Sequence, residues 1–540
     1  MGELWAGRGT GGMRRRCAPA VFVLLLALLA GCSVGPSIRP PVAVRGEDLP
    51  APPAAAGPAQ PEPADPDALP PSEPVRSGPE FTDCTAPVLA GLKAAGTAPP
   101  AGRVLSVGCG RLSVPADRTR PDLGPARLGL TRVTQRGAAP DLPALVVVGD
   151  TGTDGSARAA ATLAARLPAD VLKHYQVIGM DRRGSGEDLL DCGPPDARAA
   201  LVDARPTDAD EAAMTRLLER SRSIVQDCYL LLSGTLTDFR AASTADDLES
   251  LRSALGTLRL DVVGTGDGAD ATATWLARHP EAAGRVVLDG PTDPSVDGPA
   301  RAEAATAAAE GAFDAFAEAC TEAGSCPLGA DPRAAVTGLV ARLGRTALPL
   351  GDGDSITSGA VLHAVRGLLP QPARWPELAA ALGAANRGDP AGLERVLGPL
   401  AGPRSRFDGA LATRCNDSRV RTTPGEGAAL AGQWRGRYPL FGVVAAQDLV
   451  TCGPWPSGGP ETPGAPAGAG PPVLVVGTAH DPRAPQAGAE QTARRLGTGR
   501  LVRWEGAGTG AYPRTPCVTA VVGKALVGGR APADDVVCPP

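Results

Sequence analysis

Lysine is nearly missing from this chain: of 540 residues only Lys93, Lys173 and Lys524 carry it, so the positive charge is almost all arginine. Scattered arginines and a net charge of −5 exclude a basic nucleic-acid-binding surface. Histidine is as scarce, with four in all, and neither C-x-x-C nor H-E-x-x-H occurs. The metal sites that those motifs build are therefore excluded, and no metal or cofactor is expected. A long apolar run is lacking too: Ala18 to Gly31 spans 14 residues, too few to cross a bilayer comfortably.

What is present begins with an address label. Arg14, Arg15 and Arg16 precede that apolar stretch, which has the build of an export signal, with Met1 or Met13 as its start. The stretch ends in Leu29-Ala30-Gly31-Cys32, which resembles a bacterial lipobox with cleavage before a lipid-bearing Cys32. Two acyl chains on one cysteine give stable membrane attachment where one is marginal. Residues 1–31 are thus expected to be a signal peptide, and the Pro/Ala-rich residues 32–80 a lipidated tether unable to form a core.

Twelve cysteines minus Cys17 and Cys32 leave ten, an even number that suits an oxidising compartment. Neighbours in sequence form five couples: Cys84 with Cys109, Cys192 with Cys228, Cys320 with Cys326, Cys415 with Cys452, and Cys517 with Cys538. Sequence alone leaves the connectivity open.

From Phe81 onward strand-like and helix-like runs alternate. Strands are expected at 103–107, 126–132, 144–148, 176–180, 259–263, 285–288, 472–476 and 500–503. Helices are expected at 157–174, 244–255, 269–278, 486–496 and 517–526. That alternation predicts an α/β fold with a mostly parallel, doubly wound sheet. Residues 295–411 are Ala-rich with helical periodicity and read as a helical lid over the carboxyl edge of the sheet. They divide the core into residues 81–294 and 412–540, and a Gly/Pro-rich loop, 456–471, leads into the last strands.

The segment Leu260 to Ala269 reads as a strand turning sharply into a helix, with Gly264, Gly266 and Gly268 in the turn. Before and after it along the chain stand Cys109-Gly-Arg-Leu-Ser-Val-Pro115, Asp181-Arg-Arg-Gly-Ser-Gly186, Ser243-Thr-Ala-Asp-Asp-Leu248, Leu251-Arg-Ser-Ala-Leu-Gly256, Gly284-Arg-Val-Val-Leu-Asp-Gly290, Cys415-Asn-Asp417, Cys452-Gly-Pro-Trp-Pro456 and Asp481-Pro482. In their order, these resemble the exported tripeptidyl-aminopeptidase-like α/β-hydrolases of the prolyl-aminopeptidase superfamily, with that family's C-terminal module. The resemblance implies a G-x-S-x-G nucleophile elbow, a general-base histidine and an orienting aspartate. By motif the aspartate is Asp481, whereas the serine position holds Gly266 and the histidine position Thr509. Glycine has no attacking atom, and threonine is no base near neutral pH, so acyl transfer has no carrier.

The oxyanion-loop positions are Gly149, Asp150 and Asp267. Acids at Asp150, Asp154 and Asp267 are expected to repel a developing oxyanion. The lid acids Glu303, Glu310, Glu318, Glu322 and Glu377 could hold a substrate amine, yet on Ala-rich helices they read as solvated charges. Other readings stay open. Gly264-x-Gly266-x-x-Ala269, with Asp289 about 20 residues on, matches the dinucleotide fingerprint. Asp267 could be a displaced nucleophile, and His480 a base beside Asp481. His174, His279 and His363 read as surface or packing residues, Ser185 as a turn residue and Ser156 as a helix N-cap. The expectation is a lipid-anchored pseudohydrolase on the outer face of the cell membrane, with a peptide or small molecule in the lid pocket or a cell-surface protein as partner. An active exopeptidase is the rival reading.

Overall fold

The computed structural model describes residues 65–152, 155–186, 188–293, 295–351, 354–456 and 470–540. The expected signal, Cys32, tether residues up to 64, Asp154 and most of the 456–471 loop lie outside the described residues. Twelve strands are described: β1 (Thr82–Asp83), β2 (Leu105–Pro115), β3 (Pro125–Gln135), β4 (Ala144–Val148), β5 (Gln176–Met180), β6 (Leu260–Thr265), β7 (Ala283–Asp289), β8 (Leu348–Pro349), β9 (Ser355–Ile356), β10 (Val473–His480), β11 (Gly499–Ala507) and β12 (Val536–Cys538). Ten of them form one sheet in the order β1-β2-β3-β5-β4-β6-β7-β10-β11-β12, and β8 pairs with β9 apart from it. Strands β1 to β3 are antiparallel, β3 meets β5 antiparallel, and from β5 to β12 every pairing is parallel. This is the α/β-hydrolase fold.

The parallel strands are apolar on both faces because helices cover both. Side chains alternate between two cores: Leu145, Val147, Val263, Val287, Leu474 and Val476 face one, and Val146, Val148, Val262, Val286, Leu288, Val473 and Val475 face the other. The first core is closed by helices Ser156–Arg166, Ala169–His174 and Pro516–Gly528, the second by Ala241–Ala254, Asp267–Arg278 and Gln486–Leu496. The expected helix 157–174 is broken in two. Leu167 precedes Pro168 and is driven to an extended ψ of 147°, which stops the first helix.

The helical layer is larger than the expected lid. Helices Gly298–Glu322, Pro332–Arg345, Ser358–Leu368, Trp375–Asn386 and Ala391–Ala401 share a core around Phe313, Phe316 and Trp375. Helices Phe407–Asp417, Pro424–Arg437 and Gly442–Thr451 continue it, and Glu211–Leu231 joins through Met214 and Leu217, packed with Trp434 and Val450. The boundary at 411/412 is therefore corrected: strands resume only at β10. An Ala-rich pattern marked the first part, whereas the later helices are recognisable only by whom they pack against.

The tether boundary at residue 80 is also corrected. Residues from Asp65 are bound to the fold: Leu69 is buried, Ala68 bridges Arg530, and Ser72 donates to Asp261 Oδ2 at 2.5 Å. Prolines here keep the backbone extended without demanding a ladder, which suits a strap laid along the sheet's edge loops. Disulfides join the five neighbouring couples, Cys84–Cys109, Cys192–Cys228, Cys320–Cys326, Cys415–Cys452 and Cys517–Cys538. No helix among the described residues is long and apolar enough to cross a membrane.

Candidate functional site

Strand order locates the site. β4 lies between β5 and β6, and the helix after β4 covers one face of the sheet while the helix after β6 covers the other. At such a reversal the loops leaving the two strands separate and open a crevice at their carboxyl ends. Gly149 to Gly152 and the turn at Gly266 line this crevice, and β10 and β11 bring Asp481 and Thr509 to the same edge.

Gly266 has φ +60° and ψ −129°, a backbone state that a side-chain-bearing residue rarely adopts. Its amide donates to Asp289 O at 2.9 Å, fixing the turn against β7. A Cβ built on Gly266 would overlap Asp150 Oδ2 and come within 3.1 Å of Asp150 Cβ. The space into which an elbow side chain would project is thus filled by the Asp150 carboxylate. Asp150 is held there by an ion pair with Arg483 Nη1 and accepts from the Gly152 amide at 2.7 Å. Arg483 itself follows Asp481 by two residues and donates its amide to Asp481 Oδ1 at 2.9 Å.

Asp481 and Thr509 meet directly: Thr509 Oγ1 donates to Asp481 Oδ1 at 2.6 Å. Asp481 Oδ1 also accepts from the Ala484 amide at 3.2 Å, while Oδ2 is buried with no hydrogen-bond partner. At 1 % exposure, burial pushes the carboxyl up to about 6, opposed by the Thr509 hydroxyl and the two amides. The Thr509 amide is spent on Pro370 O at 3.0 Å, which ties this loop to the lid.

The oxyanion-loop expectation needs two corrections. Gly149 cannot offer its amide, because that N–H donates to Ser156 Oγ at 2.8 Å. Ser156 is therefore no N-cap; it is the first helical residue, and its hydroxyl closes the loop back onto β4. Nor do the acids act as bare charges. Asp267 accepts from the Thr151 amide at 2.9 Å and from its hydroxyl, and pairs with Arg182 Nη1 at 2.6 Å, as Asp150 pairs with Arg483. Burial raises the Asp267 carboxyl and Arg182 lowers it. At the turn the Asp150 carboxylate fills the space beside Gly266, and both acids are paired with arginines. Asp267 so engaged also makes a poor nucleophile.

The dinucleotide reading loses its acid. Asp289 is fully buried and accepts from the amides of Ala511 and Tyr512 at 3.0 and 2.8 Å, so it cannot reach a ribose. The spacing of glycines has another cause. A Cβ on Gly264 would press on Ala269 Cα at 2.8 Å, and one on Gly268 would strike Val148 O, so both serve close strand-to-helix packing.

The other candidates fall as follows. His480 is exposed, and its carbonyl accepts from the Gly508 amide at 3.0 Å, with no bond from its ring to Asp481 among those described. Ser185 Oγ is held within its own turn, accepting from the Arg182 amide at 3.0 Å and donating to Arg182 O at 2.8 Å. Of the lid acids, Glu310 is spent on Arg333 and the amides of Leu440 and Phe441, Glu303 on Arg437, and Glu377 on Arg374. Glu318 and Glu322 are exposed. A cleft of about 500 Å³ lies elsewhere, and its lining includes none of Gly266, Asp481 or Thr509.

Sequence reading assigned no role to two arginines at the site. Arg483 and Arg182 are the cations that neutralise the site's acids, and their only signal was position beside Asp481 and in the Asp181 turn. His363, on the lid helix Ser358–Leu368, is held down to about 4 by burial, with Arg366, Arg414 and Arg483 acting in the same direction and Asp448 opposing. Asp417 is pushed up to about 7 by burial, opposed by Arg182 and the Ala241 amide.

Comparison with known proteins agrees with this architecture. The family model described as TAP-like protein matches residues 438–538. Carboxylesterase B of Mycobacterium tuberculosis is 29% identical over 462 residues, covering 80% of this chain and 86% of its own. Serine protease Hip1 of Mycobacterium bovis is 26% identical over 460 residues, covering 80% and 87%. Tripeptidyl aminopeptidase of Streptomyces lividans is 24% identical over 453 residues, covering 80% and 83%. With the strand order above, these matches support a TAP-like α/β-hydrolase.

Proposed function

We propose that this protein is a catalytically silent TAP-like hydrolase, exported and held at the outer face of the cell membrane by a lipid on Cys32, that binds a peptide or a partner protein. The observation that carries the reading is the Asp150 carboxylate standing where an elbow nucleophile would project, locked by Arg483. Thr509 on Asp481 supports it, because the acid is engaged by a hydroxyl that cannot accept a proton near neutral pH. Five disulfides support export to an oxidising compartment. In serine proteases loss of the nucleophile or base costs on the order of 10⁶ in turnover.

The test compares the purified protein with Gly266→Ser/Thr509→His and with the same pair plus Asp150→Gly, on tripeptidyl and aminoacyl substrates and an active-site-directed fluorophosphonate. The native form is expected to be inert to all of them. Activity is expected in the triple variant at most, since Asp150 obstructs a serine in the double one. Native hydrolysis would instead favour the rival reading, in which the preserved Asp481 works with residues other than a serine and histidine.

A further inference from the structure

One lid helix is pinned directly to the site. Ser358–Leu368 ends two residues before Pro370, whose carbonyl accepts the Thr509 amide at 3.0 Å. The helix carries His363 and Arg366, three positions apart and so on one face. The His363 ring lies 6.0 Å from that of Phe407, and Arg366 Nη2 pairs with Asp448 Oδ2 at 2.7 Å. Phe407 begins the helix Phe407–Asp417, whose Arg414, two turns on along the same side, reaches that Asp448 oxygen at 3.5 Å. Arg483 acts on His363 as well, so this face of the lid adjoins the Asp150–Arg483 pair beside Gly266.

The charges on this face do not cancel. Two guanidiniums share one oxygen of one carboxylate, and the other bond of Arg414 goes to a neutral hydroxyl, Thr451 Oγ1 at 3.1 Å. The acids of the helix Phe407–Asp417 are engaged elsewhere, Asp408 with Arg198 and Asp417 with the Ala241 amide. Arg483 is matched by Asp150. One positive charge is therefore left over on the lid side, and a second anion would relieve it. The field at His363 has the same sign: after burial, Arg366, Arg414 and Arg483 hold the imidazole neutral against Asp448. The side chains of Arg366, Arg414 and Arg483 are 35%, 45% and 29% exposed, so an incoming group can meet them without unfolding the lid. The lid glutamates that could hold an amine are spent on arginines or exposed.

We propose that this lid face, Arg366 and Arg414 beside the Asp150–Arg483 pair, binds the carboxylate of a peptide. The proposal rests on the peptide-binding reading above and names the group recognised, an anion rather than an amine. Planar guanidiniums suit a carboxylate because they can meet both of its oxygens. A chain end and an acidic side chain offer the same group.

The test is calorimetric titration of the purified native protein with four probes. Acetyl-trialanine carries only a terminal carboxylate, acetyl-alanyl-aspartyl-alanine amide only a side-chain one, trialanine amide only an amine, and acetyl-trialanine amide neither. One or both carboxylate probes are expected to bind about tenfold or more tighter than the two without a carboxylate. Arg366→Gln and Arg414→Gln should each weaken that binding about fivefold, with Arg366→Lys milder. Asp448→Asn removes the competing anion and should tighten it about threefold or more, a gain that a merely structural ion pair does not give. Unchanged thermal unfolding shows that the arginine variants fold, and they carry the test if Asp448→Asn does not. Equal or tighter binding of trialanine amide, or full binding by Arg366→Gln/Arg414→Gln, overturns the carboxylate site and leaves a peptide pocket standing. No binding by any probe overturns both.

Discussion

Replacing Gly266 by alanine isolates the feature on which the silent-site reading depends. Two costs arise. Any side-chain-bearing residue at φ +60° and ψ −129° is strained by about 1–3 kcal/mol. Its Cβ must also displace Asp150 from Arg483, a pair whose side chains are 8% and 29% exposed. Breaking a fully buried pair costs about 3–5 kcal/mol; because Arg483 reaches water the cost falls below that range, to about 1–2 kcal/mol. Gly266→Ala is therefore expected to destabilise by about 2–5 kcal/mol in urea unfolding followed by tryptophan fluorescence. Asp150→Ala bears the pair loss alone. In the double variant that loss is counted once, and the alanine methyl has room, so the two changes should fall short of additivity by about 1–2 kcal/mol. A Gly266→Ala variant within about 0.5 kcal/mol of the native protein, or strict additivity with Asp150→Ala, would refute the claim that Asp150 occupies the elbow space.

Other outcomes follow from the same geometry. Because the folded Asp481 carboxyl is raised to about 6 from 3.8, its protonated form favours the fold. That contribution is complete below about pH 4 and lost as pH rises through 6. Asp481→Asn should thus gain stability relative to the native protein above pH 6, by at most about 3 kcal/mol, and show no gain at pH 4; a pH series of urea midpoints checks the sign. Thr509→Val removes the hydroxyl on Asp481 Oδ1 and should cost about 1–2 kcal/mol, with the Asp481 carboxyl titrating higher still by carboxylate NMR or infrared difference spectra. Removing Cys415–Cys452, which closes a separation of 37 residues, should lower stability by about 3–4 kcal/mol. Peptide mapping without reductant should recover these two cysteines joined to each other.

Much of the fold was legible because burial on two faces leaves a plain record in the chain. The runs 144–148 and 176–180 coincide with β4 and β5, and 486–496 with its helix, since continuous apolar strands and amphipathic helices are local patterns. Pairing of cysteines that are near in sequence was legible for a similar reason. The helices after residue 411 were not separable from the core, because their apolar faces meet Met214 and Leu217, some 200 residues earlier, rather than anything nearby.

The candidate site divides the same way. Residue identity alone established that the elbow position has no hydroxyl and the following loop no imidazole, since a missing atom is missing in any conformation. Identity could not say what fills the gap. Asp150 and Arg483 are 333 positions apart, and only the adjacency of the β4 and β10 loops at one sheet edge pairs them. The acids that read as repelling charges are neutralised for that reason: a charge is a property of the residue, but its field depends on partners that the tertiary structure alone brings within reach.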